Sequence, residues 1–223
     1  MGSYETTINT LAGELARVEA TFRGLTEPEW AASTLLVPVD PDLPHWTVFE
    51  LAGHFDISIG LTRMLLDGRG DLHPARDRTS FFINPRSETG PVVYGYAYTM
   101  VEGKTPADMP GVLAETFGQT IEECRAVPAD TVGPGYFAPM QLDEFVASRV
   151  VEAVVHGLDL TLALGRDTIA TPEGIALTAA ILDDLLARRT LGRRPGDLAD
   201  DLAWVLAAAG RTAHPDNRLP LIG

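Results

Sequence analysis

The sequence has a single cysteine, Cys124, so an intramolecular disulfide is impossible. It also lacks any run approaching the roughly 18 apolar residues of a membrane span, and its start has no apolar core of signal-peptide length. Basic residues are few, because 17 Lys and Arg stand against 31 Asp and Glu, for a formal net charge of -14. Such a surface repels phosphate backbones and anionic lipid, so we expect no nucleic-acid or membrane partner. We expect a monomer or homodimer in the reducing cytoplasm.

The 223 residues suit one ample domain built mainly of helices. Apolar residues at helical spacing predict helices over about 4–25, 47–67, 110–126, 140–165, 172–189 and 197–209. Residues 68–105 look irregular, and Tyr94, Tyr96 and Tyr98 alternate there as in a short strand. We interpret this stretch, with Phe81 and Phe82, as a lid or pocket wall. Few segments resemble strands, so the predicted class is all-α.

The helix predicted over 140–165 carries two groups that can bind a metal. Glu152 and His156 are four residues apart, so their side chains lie one above the other on the same side of the helix. A carboxylate and an imidazole at this spacing suit zinc, nickel, iron or manganese. The alternative is an exposed Glu–His pair that contributes roughly a few tenths of a kcal/mol.

His54 lies among apolar residues of the helix predicted over 47–67. A buried histidine needs a polar partner, which is either a neighbouring carbonyl or a metal shared with Glu152 and His156. Three protein ligands leave a coordination position open, as in catalytic sites. Two histidines and a carboxylate are also the ligands of non-heme iron oxygenases, so ligand type alone does not fix the reaction. Three further histidines adjoin prolines in predicted loops and are expected at the surface: His45, His73 and His214.

Two stretches about a hundred residues apart form a recognisable pair. The first is PHWTVFELAGHF at 44–55, and the second is SRVVEAVVHGLDLTLALG at 148–165. Together they resemble the DinB-like metalloproteins, and most closely the mycothiol-dependent maleylpyruvate isomerase branch. That branch shows Pro-Gly-Trp-Thr-Val-x-x-Leu-x-x-His and then Arg-x-x-Glu-x-x-x-His-x-x-Asp, so His45 here replaces a glycine. A weaker likeness to a late Trp-Leu-x-Gly-Arg element involves Trp204, Gly210 and Arg211.

The resemblance implies a DinB-like four-helix bundle over residues 1–165, with additional C-terminal helices over 166–223 packed on the same domain. It also implies that His54, Glu152 and His156 bind a divalent metal, most often zinc, which holds a low-molecular-weight thiol such as mycothiol as its thiolate. A dication beside a thiol favours the deprotonated form, so a strong nucleophile exists at neutral pH. Addition to a double bond followed by elimination gives cis–trans isomerisation, whereas epoxide opening or displacement gives S-conjugation.

Two residues near the ligands are candidates for catalytic support. Asp159, three residues after His156, can accept the second N–H of a ligating imidazole, or else it caps a neighbouring helix. Arg149, one turn before Glu152, can orient that carboxylate or clamp a substrate acid, unless it is a salt-bridged residue of the bundle. The candidates for contact with the thiol are Tyr94, Tyr96 and Arg211.

The favoured function is a thiol-dependent metalloenzyme, either an isomerase or an S-transferase, acting on a small electrophile. Two alternatives stay open: a metal hydrolase that activates water, and a module that binds a metal or small ligand without turnover. Residues 166–223 predict two helices and a tail, less than the second domain that helps to wall the pocket of full-length isomerases. We therefore expect thiol transfer in the broader sense, rather than maleylpyruvate itself as the substrate.

Overall fold

The computed structural model describes residues 3–36, 38, 40, 42–84 and 86–222, with the backbone alone at position 86. Over these residues the chain is helical apart from two paired antiparallel strands, β1 (Val132–Gly133) and β2 (Met140–Gln141), so the predicted all-α class is confirmed. None of the helices described is long and apolar enough to cross a membrane. The helices are α1 (Tyr4–Arg23), α2 (Glu27–Trp30), α3 (Val48–Asp67), α4 (Arg86–Val101), α5 (Met109–Ala126), α6 (Leu142–Ala163), α7 (Pro172–Thr190) and α8 (Asp201–Ala208).

Four long helices form the bundle that the resemblance implies. Each contacts two of the others, in the order α1, α6, α3, α5 and back to α1. A capping box opens α3, because Thr47 caps the N–H of Phe49 while Glu50 accepts from the N–H of Thr47 at 2.8 Å. This cap fixes where α3 begins and therefore where His54 lies, two turns further along.

The prediction that residues 68–105 are irregular is wrong for residues 86–101, which form α4. The alternating Tyr94, Tyr96 and Tyr98 therefore belong to a helix and not to a strand. The sequence conceals this helix because Pro91 lies inside it and removes a backbone hydrogen bond. α4 packs on α3, and Gly53 permits this approach, since a Cβ there would lie 2.5 Å from the carbonyl oxygen of Ala97.

The C-terminal helices pack on the bundle. α7 contacts α6 and α1, and α8 contacts α7. The end of α6 follows the prediction, since Gly165 adopts a left-handed φ of +62° just after it. The last helix is shorter than predicted, because a 3-10 turn at Gly196–Leu198 precedes α8. The division of the chain at residue 165 stays a prediction.

Candidate metal centre

Three side chains from two helices of the bundle meet at one point. The Nε2 atoms of His54 on α3 and His156 on α6 are 3.0 Å apart. Oε2 of Glu152 lies 3.6 Å from the first nitrogen and 3.3 Å from the second. The side chains of His54, His156 and Glu152 are only 7%, 14% and 17% exposed, so the cluster is shielded from bulk water. The three residues predicted as ligands therefore converge.

The spacing of these donor atoms suits one ion. Ligands lie about 2.0–2.2 Å from zinc in tetrahedral sites, which places neighbouring ligand atoms roughly 3.3–3.5 Å apart. His156 is also oriented for the task, because its Nδ1 lies 2.8 Å from Oδ2 of Asp159. With the proton on Nδ1, the lone pair of Nε2 faces the cluster. Nδ1 of His54, by contrast, is buried without a hydrogen-bond partner among the described residues, and its ring packs on Trp46 at 5.1 Å between centroids.

The charges in the cluster depend on burial and on hydrogen bonds. Burial and the neighbouring His156 lower the pKa of His54, so this imidazole is neutral at neutral pH. Burial alone would raise the pKa of Glu152, but hydrogen bonds with His156 and His54 hold it well below its ordinary value. Burial would lower the pKa of His156, yet hydrogen bonds to Asp159 and Glu152 raise it to about 8. A proton on His156 therefore partly balances Glu152, and a metal ion must displace that proton when it binds.

Asp159 connects the cluster to the chain beyond α8. Besides the contact with His156, its two oxygens accept from Nε of Arg211 at 2.8 Å and from Nη2 at 2.7 Å. Burial would raise the pKa of Asp159, but Arg211 lowers it to about 2. Both side chains are buried. Asp159 thus bonds to His156 at the nitrogen expected for it, and Arg211 holds that carboxylate in place.

Arg149 is an almost fully buried cation beside the cluster. Its guanidinium lies between the rings of Phe81 and Phe145, 4.7 Å from each centroid. Nη1 donates to the carbonyl oxygen of Ser58 at 2.8 Å, and Nη2 is 3.9 Å from Oε1 of Glu152. Arg149 thus ties α6 to α3 and faces the carboxylate it was predicted to orient.

A cavity of about 500 Å³ opens beside the three ligand candidates. The expectation that residues 68–105 contribute a pocket wall is confirmed for Phe81, Phe82, Tyr94 and Tyr96, which line it. Tyr98 is outside the described lining and packs on Tyr94, 5.1 Å between ring centroids. The Tyr94 hydroxyl donates to the carbonyl oxygen of Pro44 at 2.8 Å, which fixes the position of this ring in the wall.

Residues 11–161 match the family model described as mycothiol maleylpyruvate isomerase N-terminal domain. This match covers well over half of the chain. The chain belongs to this family. No curated protein and no solved structure gives a significant match.

The part of the chain that matches the mycothiol maleylpyruvate isomerase N-terminal domain contains all three ligand candidates, together with Arg149 and Asp159. The cavity also draws on residues beyond it, since Arg189, Arg211 and the segment 220–222 contribute to its wall.

The lining residues that the sequence does not assign to the cavity include three aromatic residues and one arginine. Trp46 was read only as part of a motif, and Tyr136 and Phe137 lie in a loop rich in glycine and proline. An aromatic pair just before the ligand-bearing helix was the available signal for those two. Arg189 gave no signal, because its place in the wall depends on where α7 ends against the rest of the molecule.

Proposed function

We propose that the protein is a metal-dependent enzyme that uses a low-molecular-weight thiol, such as mycothiol, to isomerise a small electrophile or to conjugate it. The observation that supports this most directly is the convergence of three buried donor atoms within 3.0–3.6 Å beside a cavity of about 500 Å³. Membership of the isomerase-domain family supports the thiol. A thiol cosubstrate also fits the cytoplasmic location that we propose.

In this proposal His54, Glu152 and His156 hold the metal, with zinc as the first choice and nickel, iron or manganese as alternatives. The ion supplies one effect, which is to keep a bound thiol deprotonated at neutral pH. Asp159 fixes the orientation and tautomer of His156. Arg149 positions Glu152 from within its own helix.

The cavity walls keep the reacting groups away from water. Rings at positions 81, 82, 136 and 137 face the cavity, and so do aliphatic side chains of α3 and α6. Because these walls exclude water, an electrophile bound there reacts with the thiol in preference to water, which favours thiol transfer over hydrolysis. Tyr94, Tyr96 and Arg211 lie in the wall, where they can contact the thiol or its partner.

The metal is tested by elemental analysis of protein purified without added metal. We expect about one ion per chain, and less than a tenth of that in His54→Ala and in His156→Ala. His73→Ala is the matched control, because His73 is exposed and lies outside the cavity lining. Helical circular dichroism should be preserved in all three variants, since the core of the bundle does not include the ion. Full metal content in both ligand variants would refute the site.

The thiol is tested separately, with a panel of epoxides, alkyl halides and cis-configured unsaturated acids. Turnover should require both the metal and an added thiol. Turnover that is independent of thiol would identify a metal hydrolase instead. A protein that binds metal and is stabilised by a ligand, but turns over no member of the panel, would be a binding module.

A further inference from the structure

We propose that the cavity binds an electrophile with an apolar body and a single carboxylate, and that Arg189 recognises the carboxylate. This inference rests on the proposed function only in calling the ligand an electrophile. The binding preference itself follows from the charges and walls of the cavity, whatever reaction takes place there.

Arg189 lies where two walls of the cavity meet. Its Nη2 donates to the carbonyl oxygen of Phe82 at 3.0 Å, and its Nη1 donates to the carbonyl oxygen of Leu221. Both acceptors belong to residues that line the cavity. These two bonds hold the guanidinium in place and leave Nε–H and the second proton of each terminal nitrogen for a ligand.

Arg189 differs from the other arginines of the wall in having no carboxylate partner. No carboxylate of the described residues forms an ion pair with it within 4.0 Å, and burial alone lowers the pKa of Arg189. Arg211 is paired with Asp159, and Arg149 faces Glu152. A guanidinium fixed by backbone carbonyls but without a counter-charge is suited to a carboxylate, which it can bind through two parallel N–H groups.

The charge of the cavity is opposite to that of the protein. The whole chain carries a formal charge of -14, yet among the described residues the lining has three arginines and one carboxylate, Glu152, besides the two histidines of the candidate metal centre. A cavity of this kind attracts an anion although the surface around it repels one. Only one of the three arginines lacks a carboxylate partner, so a ligand with one negative group is favoured over a ligand with two.

The rest of the wall is apolar and accommodates a hydrophobic body. Ile57 and Leu61 of α3 and Val151 and Val155 of α6 face the cavity together with the aromatic rings already described. Burying a hydrocarbon or aromatic group against these side chains contributes favourably through removal of apolar surface from water. A small, fully polar dianion would leave that surface without contact.

The test compares 4-phenylbutanoate with 4-phenylbutanamide, which has nearly the same shape but no charge, by calorimetric titration of the protein as purified with its metal. We expect the acid to bind about tenfold more tightly than the amide, a difference of about 1.4 kcal/mol. In Arg189→Gln the preference should fall below about twofold while the affinity for the amide is retained. Arg189→Lys should keep part of the preference, since it keeps the charge.

Arg188→Gln is the matched control, because Arg188 pairs with Asp77 at 2.7 Å and is not part of the cavity lining. It should keep the tenfold preference. In the unaltered protein, moderate salt should reduce the affinity for the acid and leave that for the amide unchanged. This second measurement does not depend on any variant folding.

Three results would overturn the proposal. Equal binding of acid and amide would show that no cation recognises the carboxylate. If Arg189→Gln lowered the affinity for the acid and for the amide equally, Arg189 would only hold residues 220–222 in place and would not recognise the carboxylate. A preference that survives in Arg189→Gln but disappears in His156→Ala would place the carboxylate at the metal. None of these results bears on metal content or thiol dependence, so the proposed function stands or fails separately.

Discussion

In the proposed metal site, a metal ion and a proton compete for His156. Its Nδ1 bonds to Asp159, so Nε2 alone is left for the ion or for a proton shared with Glu152. The same carboxylate that orients the imidazole also makes it more basic, and a more basic imidazole binds both a proton and a metal more tightly. We therefore propose that Asp159 controls the metal affinity without contacting the ion.

We predict that Asp159→Asn lowers metal affinity about 10–100-fold. The amide oxygen can still accept from Nδ1–H, but the negative charge that strengthens the imidazole as a ligand is lost. Competition with a chromogenic chelator measures the change. Asp183→Asn is the control, since Asp183 is a partly exposed carboxylate paired with Arg194, and it should leave the affinity unaltered. An unchanged metal affinity in Asp159→Asn would show that Asp159 has no role in metal binding.

The metal-free protein should become less stable as the pH rises from about 6.5 to above 8. The ordinary pKa of histidine is 6.5, and that of His156 in the folded protein is about 8, so between these values the folded state binds a proton that the unfolded state has released. The stabilisation is complete below pH 6.5 and is lost as the pH passes through 8, by about 2 kcal/mol. The lowered pKa of His54 acts below pH 6.5, outside this window.

Urea unfolding of the chelator-treated protein at pH 6.5 and at pH 8.5 measures this difference. His156→Ala should lose most of it, because no other histidine of the cluster binds a proton in that range. If the free energy of unfolding fell by the same amount in His156→Ala, the pH dependence would belong to another titratable group.

At the residue level, spacing was enough to select the three ligand candidates that converge, but not the cavity around them. Glu152 and His156 follow from four-residue spacing on a helix, and His54 from a histidine placed among apolar neighbours. Arg211 was brought in only by the resemblance, because 52 residues separate it from Asp159. Arg189 is the last residue of the helix predicted over 172–189, and nothing in its local sequence marks it for the cavity. Its contact with Phe82 joins residues 107 apart, and no local pattern encodes that contact.

Among the helices, α4 had the least support from sequence and contributes much to the site. Its ring at position 94 stacks on Trp46, 6.0 Å between centroids, and Trp46 packs in turn on His54. Among the described side chains of α4, only Ala97 and Val101 are buried, and the others are exposed or partly exposed. Apolar side chains such as Val92 and Tyr96 lie exposed on α4, so its apolar residues do not form a single stripe. Hydrophobic spacing therefore predicted the four bundle helices and not this one.

Replacing two glycines of α3 by alanine should change the free energy of unfolding in opposite directions, because Gly53 lies against α4 and Gly60 does not. In Gly53→Ala the new methyl group would lie 2.5 Å from the Ala97 carbonyl oxygen and 2.8 Å from Val101, so the helices must separate, at a cost of about 1–3 kcal/mol. In Gly60→Ala the nearest atom is 3.6 Å away on Thr116, so the variant should gain up to about 1 kcal/mol from helix propensity.

Urea unfolding gives both values under the same conditions. A stabilising effect of Gly53→Ala would mean that α4 does not pack against α3 at this point.

For the whole molecule, the question is whether the C-terminal helices and the bundle form one cooperative unit. Buried polar links join them. Glu14 of α1, 1% exposed, accepts from the backbone N–H of Thr171 at 2.8 Å, next to the first residue of α7. Arg211 is bonded to Asp159 of α6. Detaching α7 and α8 would leave the buried carboxylate of Glu14 without Thr171 and that of Asp159 without Arg211, which is costly on top of the lost apolar contacts.

We therefore predict that α7 opens together with α6, with opening free energies within about 1 kcal/mol of each other by native-state hydrogen exchange. Glu14→Ala should lower both values by about 1–3 kcal/mol, because the N–H of Thr171 loses its acceptor. Glu19→Ala, on the same helix but partly exposed and paired with Arg23, should change neither by more than about 0.5 kcal/mol. Exchange of α7 through a separate opening, well below that of α6 and insensitive to Glu14→Ala, would show that residues 166–223 are a loosely attached extension. The cavity wall formed by Arg189 and Arg211 would then open and close independently of the metal centre.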